Sequence, residues 1–218
     1  MVTRKKGDRT RRRILEVAFD VIRRNGFQAA GLGEILATAG LTKGALYHHF
    51  GDKTALGYAV VDEIVSEIIR KRWIKPLRPG GDPLTVIPEA IRAAAEALDD
   101  REIRLGCPLA NLAAEMSALD DGFAERIRAI YHDWRAALAG LLSGAESVSD
   151  YDPNRIATFI VATISGCLAH AKTTNRRGVL FDGIAELEFY IQHRAAESAR
   201  SEPQYASHSS SEIEDYLL

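Results

Sequence analysis

The stretch from Gly40 to Lys53, GLTKGALYHHFGDK, constrains this chain more than any other. Thr42 is placed to cap a helix of barely two turns, because its hydroxyl can accept a bond from a free backbone N–H at the helix start. Gly40, two residues earlier, suits the left-handed conformation that ends a preceding helix and turns the chain sharply. Within the short helix Leu46 and Phe50 share one stripe, whereas Lys43 with Tyr47 and Gly44 with His48 fall on neighbouring stripes. One side is built to pack and the other to dock, which is the pattern of the second half of a helix-turn-helix.

Charge is distributed to match. Residues 1–56 hold eleven Lys and Arg against five Asp and Glu, a net of +6, so with a chain total of −2 the remainder carries −8. A small basic segment ahead of a larger acidic one suits a phosphate-bearing partner, since each neutralised phosphate releases condensed counterions. The alternative for the basic start is an ordinary solvated helix end. With 218 residues, 46% of them hydrophobic, the chain can bury a substantial core divided over two domains. No run of about 18 apolar residues stands out and the start MVTRKKGDRTRRR lacks the apolar segment of a secretory signal. Cys107 and Cys167 do not make a disulfide framework. The expectation is a cytoplasmic protein without a membrane partner.

Apolar residues recur at three and four from Asp8 to about Glu197, and the alternation of strands is missing, so the fold class is all-α. Ile14, Leu15, Ala18, Phe19 and Ile22 line a first helix that stops at Asn25 and Gly26. A second runs from about Leu32 to Ala39, and the third is the one capped by Thr42. Asp52 can cap a fourth, with Leu56, Val60, Ile64, Ile68 and Trp73, that ends at the breakers from Pro76 to Gly81 and joins the two parts. Helices near 83–99 and 107–117 follow, then a longer one through Phe123, Ile130, Trp134 and Leu142. Gly144 to Asp152 reads as a polar loop. The helix near 153–176 has one apolar face through Ile156, Ile160, Ile164 and Leu168 and a second, smooth side of Ala162, Gly166 and Ala169, which predicts burial on both sides. A last helix spans about 180–195. The domains expected are 1–56, 57–197 and a polar, disordered tail over 198–218.

From Arg9 to Val60 these residues resemble the N-terminal domain of the TetR family of bacterial transcriptional regulators. The likeness rests on ILEVAFDVI, the Gly26-Phe27 exit, Ile35, Ala39-Gly40, Thr42-Lys43-Gly44, Leu46-Tyr47, His49-Phe50, Lys53 and Leu56 in order. GCPLANLAAEMS, followed by the helix around Trp134, is similar to one ligand-domain subgroup of that family. One departure stands out. Where members carry Thr or Ser ahead of the second helix, this chain has Ala30 and Gly31; Gly can cap but offers no side-chain phosphate contact, which leaves the backbone N–H groups to do so.

The resemblance implies a three-helix DNA-binding domain and a C-terminal helical domain for ligand binding and dimerisation. The third helix would enter the major groove of double-stranded DNA. Thr42, Lys43, Gly44, Ala45, Tyr47, His48 and Lys53 are the expected DNA contacts: Lys43 at a base or phosphate, Gly44 and Ala45 for close approach, and Tyr47, His48 and Lys53 at phosphates. Arg4, Lys5, Lys6, Arg9, Arg11, Arg12 and Arg13 would form an arm along the backbone or in the minor groove. One short helix reads only a few base pairs, so two copies at fixed spacing are required, paired through the last two helices as a homodimer on a near-palindrome. The implied activity is repression relieved by an unidentified small molecule.

Candidate pocket residues are Trp73, Cys107, Asn111, Met116, Tyr131, Trp134, Thr163, Cys167 and His170, each of which would otherwise be ordinary core. Cys107 precedes Pro108 at a helix start, where a thiol pKa is lowered, so an alternative is an electrophile- or oxidant-sensing regulator. No cofactor and no metal site are expected; His48-His49 diverge by about 100° around the helix, and Cys167 with His170 supplies only two ligands. An enzyme using Cys107 with His132 or His170, and a lipid-binding basic helix, are the rival readings, with no motif behind the first and ordered turn chemistry against the second.

Overall fold

The computed structural model describes residues 2–78, 80–144 and 152–198. It is 82% helical, and among the described residues there is no strand. The first three helices are α1 (Val2–Asn25), α2 (Leu32–Ala39) and α3 (Lys43–Phe50). They pack around Ile14, Leu15, Ala18, Ile35, Leu46 and Phe50, which are continuous with the main core. Gly26 and Gly40 both take positive φ, 83° and 66°, and make the two sharp exits from α1 and α2. α1 begins at Val2, so the expected basic arm is helical backbone from its second residue onward. The side chains of Arg4, Lys5 and Lys6 lie outside the described residues.

A single rod leaves this head. α4 (Lys53–Val60), a π-helical segment Val61–Val65, α5 (Ser66–Ile69) and a second π segment Arg70–Ile74 follow one another with right-handed helical dihedrals at every junction. Each π segment rotates the chain relative to an ideal helix. Its buried residues, Leu56, Val60, Val61, Ile64, Val65, Ile69 and Trp73, belong to the main core.

The body is built from α6 (Pro83–Glu96), α7 (Asp100–Leu105), α8 (Pro108–Met116), α9 (Asp121–Leu142), α10 (Pro153–Thr174) and α11 (Arg177–Ser198). Most of these starts follow one recipe. Asp82, Asp99, Asp120 and Asp152 each accept a backbone N–H from the first turn, which satisfies an orphan donor and places negative charge at the positive end of the helix dipole. The helix expected near 83–99 ends at Glu96, and Asp99 with Glu102 forms a full capping box that starts a further helix, α7, between it and α8. α10 packs on α9 and α11, and α11 reaches α6. α10 is long and apolar enough to cross a membrane by length and composition, with mean hydropathy 1.3, against the expectation that no such run exists. Seven of its residues, between Ile156 and Ala171, are buried within the body, whereas Ala162, Gly166 and Ala169 of the second, smooth side are exposed, so the expected burial on both sides is not met within this chain. The loop 145–151 and the tail 199–218 lie outside the described residues.

Candidate nucleic-acid interface and regulatory interior

The reading face is built by α3. Thr42 Oγ1 accepts the Ala45 N–H at 3.4 Å, and Gly51, with φ of 70°, closes the other end. Leu46 and Phe50 are buried, which fixes the opposite face outward. Thr42, Lys43, Gly44 and His48 are exposed, Ala45 is half-buried and Tyr47 is 45% exposed. Six of the seven expected contacts therefore share one cationic, shallow surface whose small residues let a backbone or base edge come close.

Lys53 is placed differently. Its Nζ donates to the Gln28 carbonyl at 2.9 Å and sits over the Phe27 ring at 5.0 Å, so the ammonium ties α4 to the α1–α2 turn. Arg11 is likewise engaged inside the molecule. It forms a two-pronged pair with Glu63 of the rod, which holds the Glu63 carboxyl below its ordinary range, and it lies over the Phe50 ring at 5.0 Å. Arg12 pairs with Glu16 at 2.7 Å, while Arg9 and Arg13 are exposed. Burial, with His48 and Arg11 nearby, lowers the His49 pKa, which keeps that ring neutral at pH 7. The α2 start has Gly31 as its cap with no side-chain bond, as the Ala30-Gly31 departure implies.

The head meets the body at a small set of ties that the sequence alone did not single out. Phe27 packs on Phe123 with ring centroids 4.6 Å apart, and Tyr58 meets Phe123 at 5.0 Å. Gly57 leaves no room for a Cβ between the Phe27 and Phe123 rings, so its identity is set by that close approach. Tyr58 Oη donates to Asp120 at 2.6 Å under the Arg126 guanidinium, which lies 4.1 Å from its ring. This bond lowers the Asp120 pKa and raises that of Tyr58. From α8, the Glu115 carboxylate accepts both the Phe27 and Gln28 N–H groups at 2.8 Å. Arg23 of α1 donates to the carbonyls of Glu102 and Gly106 at 3.2 and 3.5 Å. Partners 62 and more residues apart leave no local signal, although the Asp99-x-x-Glu102 spacing was available as a capping box.

Among the described residues, the nine pocket candidates are placed as follows. Trp73 and Trp134 are buried and stacked with ring centroids 5.6 Å apart, filling the centre of the body. Trp73 and Cys107 border one void and Asn111 borders another, each with about 20 Å³ of room, enough for about one water. Asn111 is occupied with the Leu105 carbonyl and the Lys172 ammonium at 2.8 and 3.2 Å. Met116 is buried, Tyr131 and Thr163 are half-buried, Cys167 is half-buried against Gly183, and His170 is exposed. Around Trp73, Cys107 and Asn111 the described interior is packed.

Cys107 departs from the sensing expectation in sign. Burial raises its thiol pKa, outweighing the Ala110 and Leu109 N–H groups of the helix start that lower it. Desolvation of the thiolate wins because the residue is 4% exposed. His132 is exposed and 3.5 Å from Asp133, and neither it nor His170 borders the Cys107 void. Among the described residues no group of three His, Cys, Asp or Glu is placed to hold a metal.

Known proteins align with both halves. Residues 14–60 match the model for bacterial regulatory proteins of the tetR family, and residues 83–185 match the C-terminal domain of LmrA/YxaF-like transcriptional regulators. The transcriptional regulator AcuR of Cereibacter sphaeroides is 26% identical over 73% of this chain and 74% of its own length. The transcriptional repressor DhaR of a Mycobacterium species is 26% identical over 77% of this chain and 84% of its own. A TetR transcriptional regulator from Chloroflexus aurantiacus superposes with a TM-score of 0.76 at 28% identity, covering 86% of this chain and 96% of that one.

Proposed function

The chain belongs to the TetR family of bacterial transcriptional regulators, and from that premise we propose that it is a cytoplasmic repressor that binds a near-palindromic operator as a homodimer and leaves it when a small molecule binds the body. The observation that carries the reading is the exposed face of α3, where Lys43, Tyr47 and His48 stand out over buried Leu46 and Phe50. That face offers one ammonium, one phenol and one imidazole to phosphates and base edges, with Gly44 and Ala45 admitting the groove wall.

Dimerisation rests on α10 and α11. Phe159 and Phe189 are 43% and 57% exposed, and Ala162, Gly166 and Ala169 make a flat exposed strip beside Phe159. A face of large rings flanking small residues buries apolar area when a second copy packs on it. Two heads then meet half-sites about 34 to 36 Å apart, or a multiple of that. DNA fragments selected from a genomic library by the purified chain would define the operator. Lys43→Ala should weaken binding to the best fragment and reduce the salt slope by about 1; unchanged affinity and slope would refute the assignment.

A further inference from the structure

Among the described residues, an open groove of ligand-like size with an apolar floor leads to an incompletely paired arginine. Between the second half of the rod and α6 lies a cleft of about 420 Å³, floored by Ala90, Ala93, Ala94 and Ala97 and bordered by Ile68 and Arg72. The size falls in the range of small-molecule sites, and the floor is apolar. Ile68, Arg72 and Glu102 also border the small void beside Cys107, so the Arg72–Glu102 pair, at 2.9 Å, is the partition between the two spaces. Both partners are mostly covered, with side chains 22% and 23% exposed.

The charges behind that partition do not balance. Arg23 and Arg72 both face the carboxylate of Glu102, while Asp20, which also lies near Arg23, is paired with Arg101 at 3.3 Å. Arg23 donates only to backbone carbonyls, and among the described residues no acceptor reaches its buried Nε. Glu115, which borders a neighbouring void with Arg23, holds the Phe27 and Gln28 N–H groups instead. A second carboxylate would complete this cluster, and a cationic end on an apolar trough is complementary to an organic acid.

We propose that this groove is the effector site and takes an amphipathic organic acid, whose carboxylate replaces Glu102 on Arg72 while its apolar part lies over the α6 alanines. The inference rests on the ligand-responsive reading above and names the ligand chemistry. It also supplies a route to the head. Glu102 is the third residue of the α7 capping box, and its carbonyl holds Arg23 of α1. Displacing its side chain shifts α7 against α1, so the ligand favours one placement of the head over the other.

The test uses the full-length protein, with hexanoate and hexanamide as probes at constant ionic strength, read by the fluorescence of Trp73 and Trp134 and by melting temperature. Hexanoate should bind at least about tenfold more tightly than hexanamide. Arg72→Gln should remove that preference. Glu102→Gln, which keeps the capping box because Gln serves at the third position, should tighten hexanoate binding by removing its competitor. A merely structural ion pair would not give opposite effects from its two halves. Equal binding of acid and amide, or no gain in Glu102→Gln, overturns the proposal even where Arg72→Gln proves unstable. Operator binding without any probe is measured in parallel: if it is intact while hexanoate fails, the DNA-binding reading survives and the effector site does not.

Discussion

The head and the body solve the same packing problem on different scales. The head has two eight-residue helices, α2 and α3, whereas α9, α10 and α11 each run 22 residues and bury a continuous apolar interior. Helices so short are marginal by themselves and take their stability from tertiary contacts. The head therefore depends on the rest of the chain for its placement, through Phe27 on Phe123 and Glu115 on the α1–α2 turn from the body, and Arg11 on Glu63 from the rod. A reading unit oriented by contacts to a neighbour is one whose orientation that neighbour can change. The π segments lie in the rod, with Val61, Ile64, Val65 and Trp73 packed into the main core, so a change of helical register there would be felt in the body.

Three substitutions or conditions would break or sharpen this contrast. The largest effect is expected at the centre of the body. Trp134→Ala removes one half of the stacked pair with Trp73 and should lower the stability of the chain by about 3–5 kcal/mol, measured by urea unfolding. A loss confined to less than about 1 kcal/mol would mean that the body core is far looser than its burial implies. Glu115→Ala should be milder. Two backbone N–H groups lose a charged acceptor, for about 1–3 kcal/mol, and hydrogen exchange should rise at Phe27 and Gln28 while the α9 and α10 amides stay protected. Equal exchange changes in both regions would erase the distinction between a dependent head and a self-sufficient body.

The smallest effect is one of pH. Glu63 and Asp120 both have lowered carboxyl pKa values, held down first by the Arg11 pair and by the Tyr58 hydroxyl respectively. A depressed carboxyl contributes stability that is complete above its unfolded value, near 4.5 for Glu63 and 3.8 for Asp120, and is lost as pH falls through the folded value. Head–body contact should thus weaken below about pH 4, seen as earlier proteolysis at the α1–α2 turn. Constant cleavage from pH 7 to pH 3 would contradict it.

Much of the head was legible because its signals are local. Thr42, Asp52 and Gly40 each act on residues within four positions, and all three adopt the conformations that their chemistry favours. The outward face of α3 follows from the Leu46–Phe50 spacing alone. The Lys53 contacts were not legible, because its partners, the Gln28 carbonyl and the Phe27 ring, are brought to it by the fold. Two other features had no usable signal. The π segments consist of residues as compatible with α-helix, and Glu115, Arg23 and Arg72 act across separations of 30 to 88 residues. The body's candidate list is not resolved by sequence, because apolar and aromatic residues at helical spacing describe a filled core as well as a hollow one. Cys107 illustrates the same ambiguity, since the helix start and burial push its thiol in opposite directions and only the fold decides between them.

The central claim is that two heads are held at a fixed spacing on one duplex. Affinity of the full-length chain for its best selected palindrome, compared with the same duplex carrying five extra base pairs between the half-sites, tests it most directly. Half a helical turn rotates one half-site to the far side of the DNA, so binding should fall by well over about tenfold and recover in part with ten added pairs. Affinity indifferent to that insertion would contradict the account.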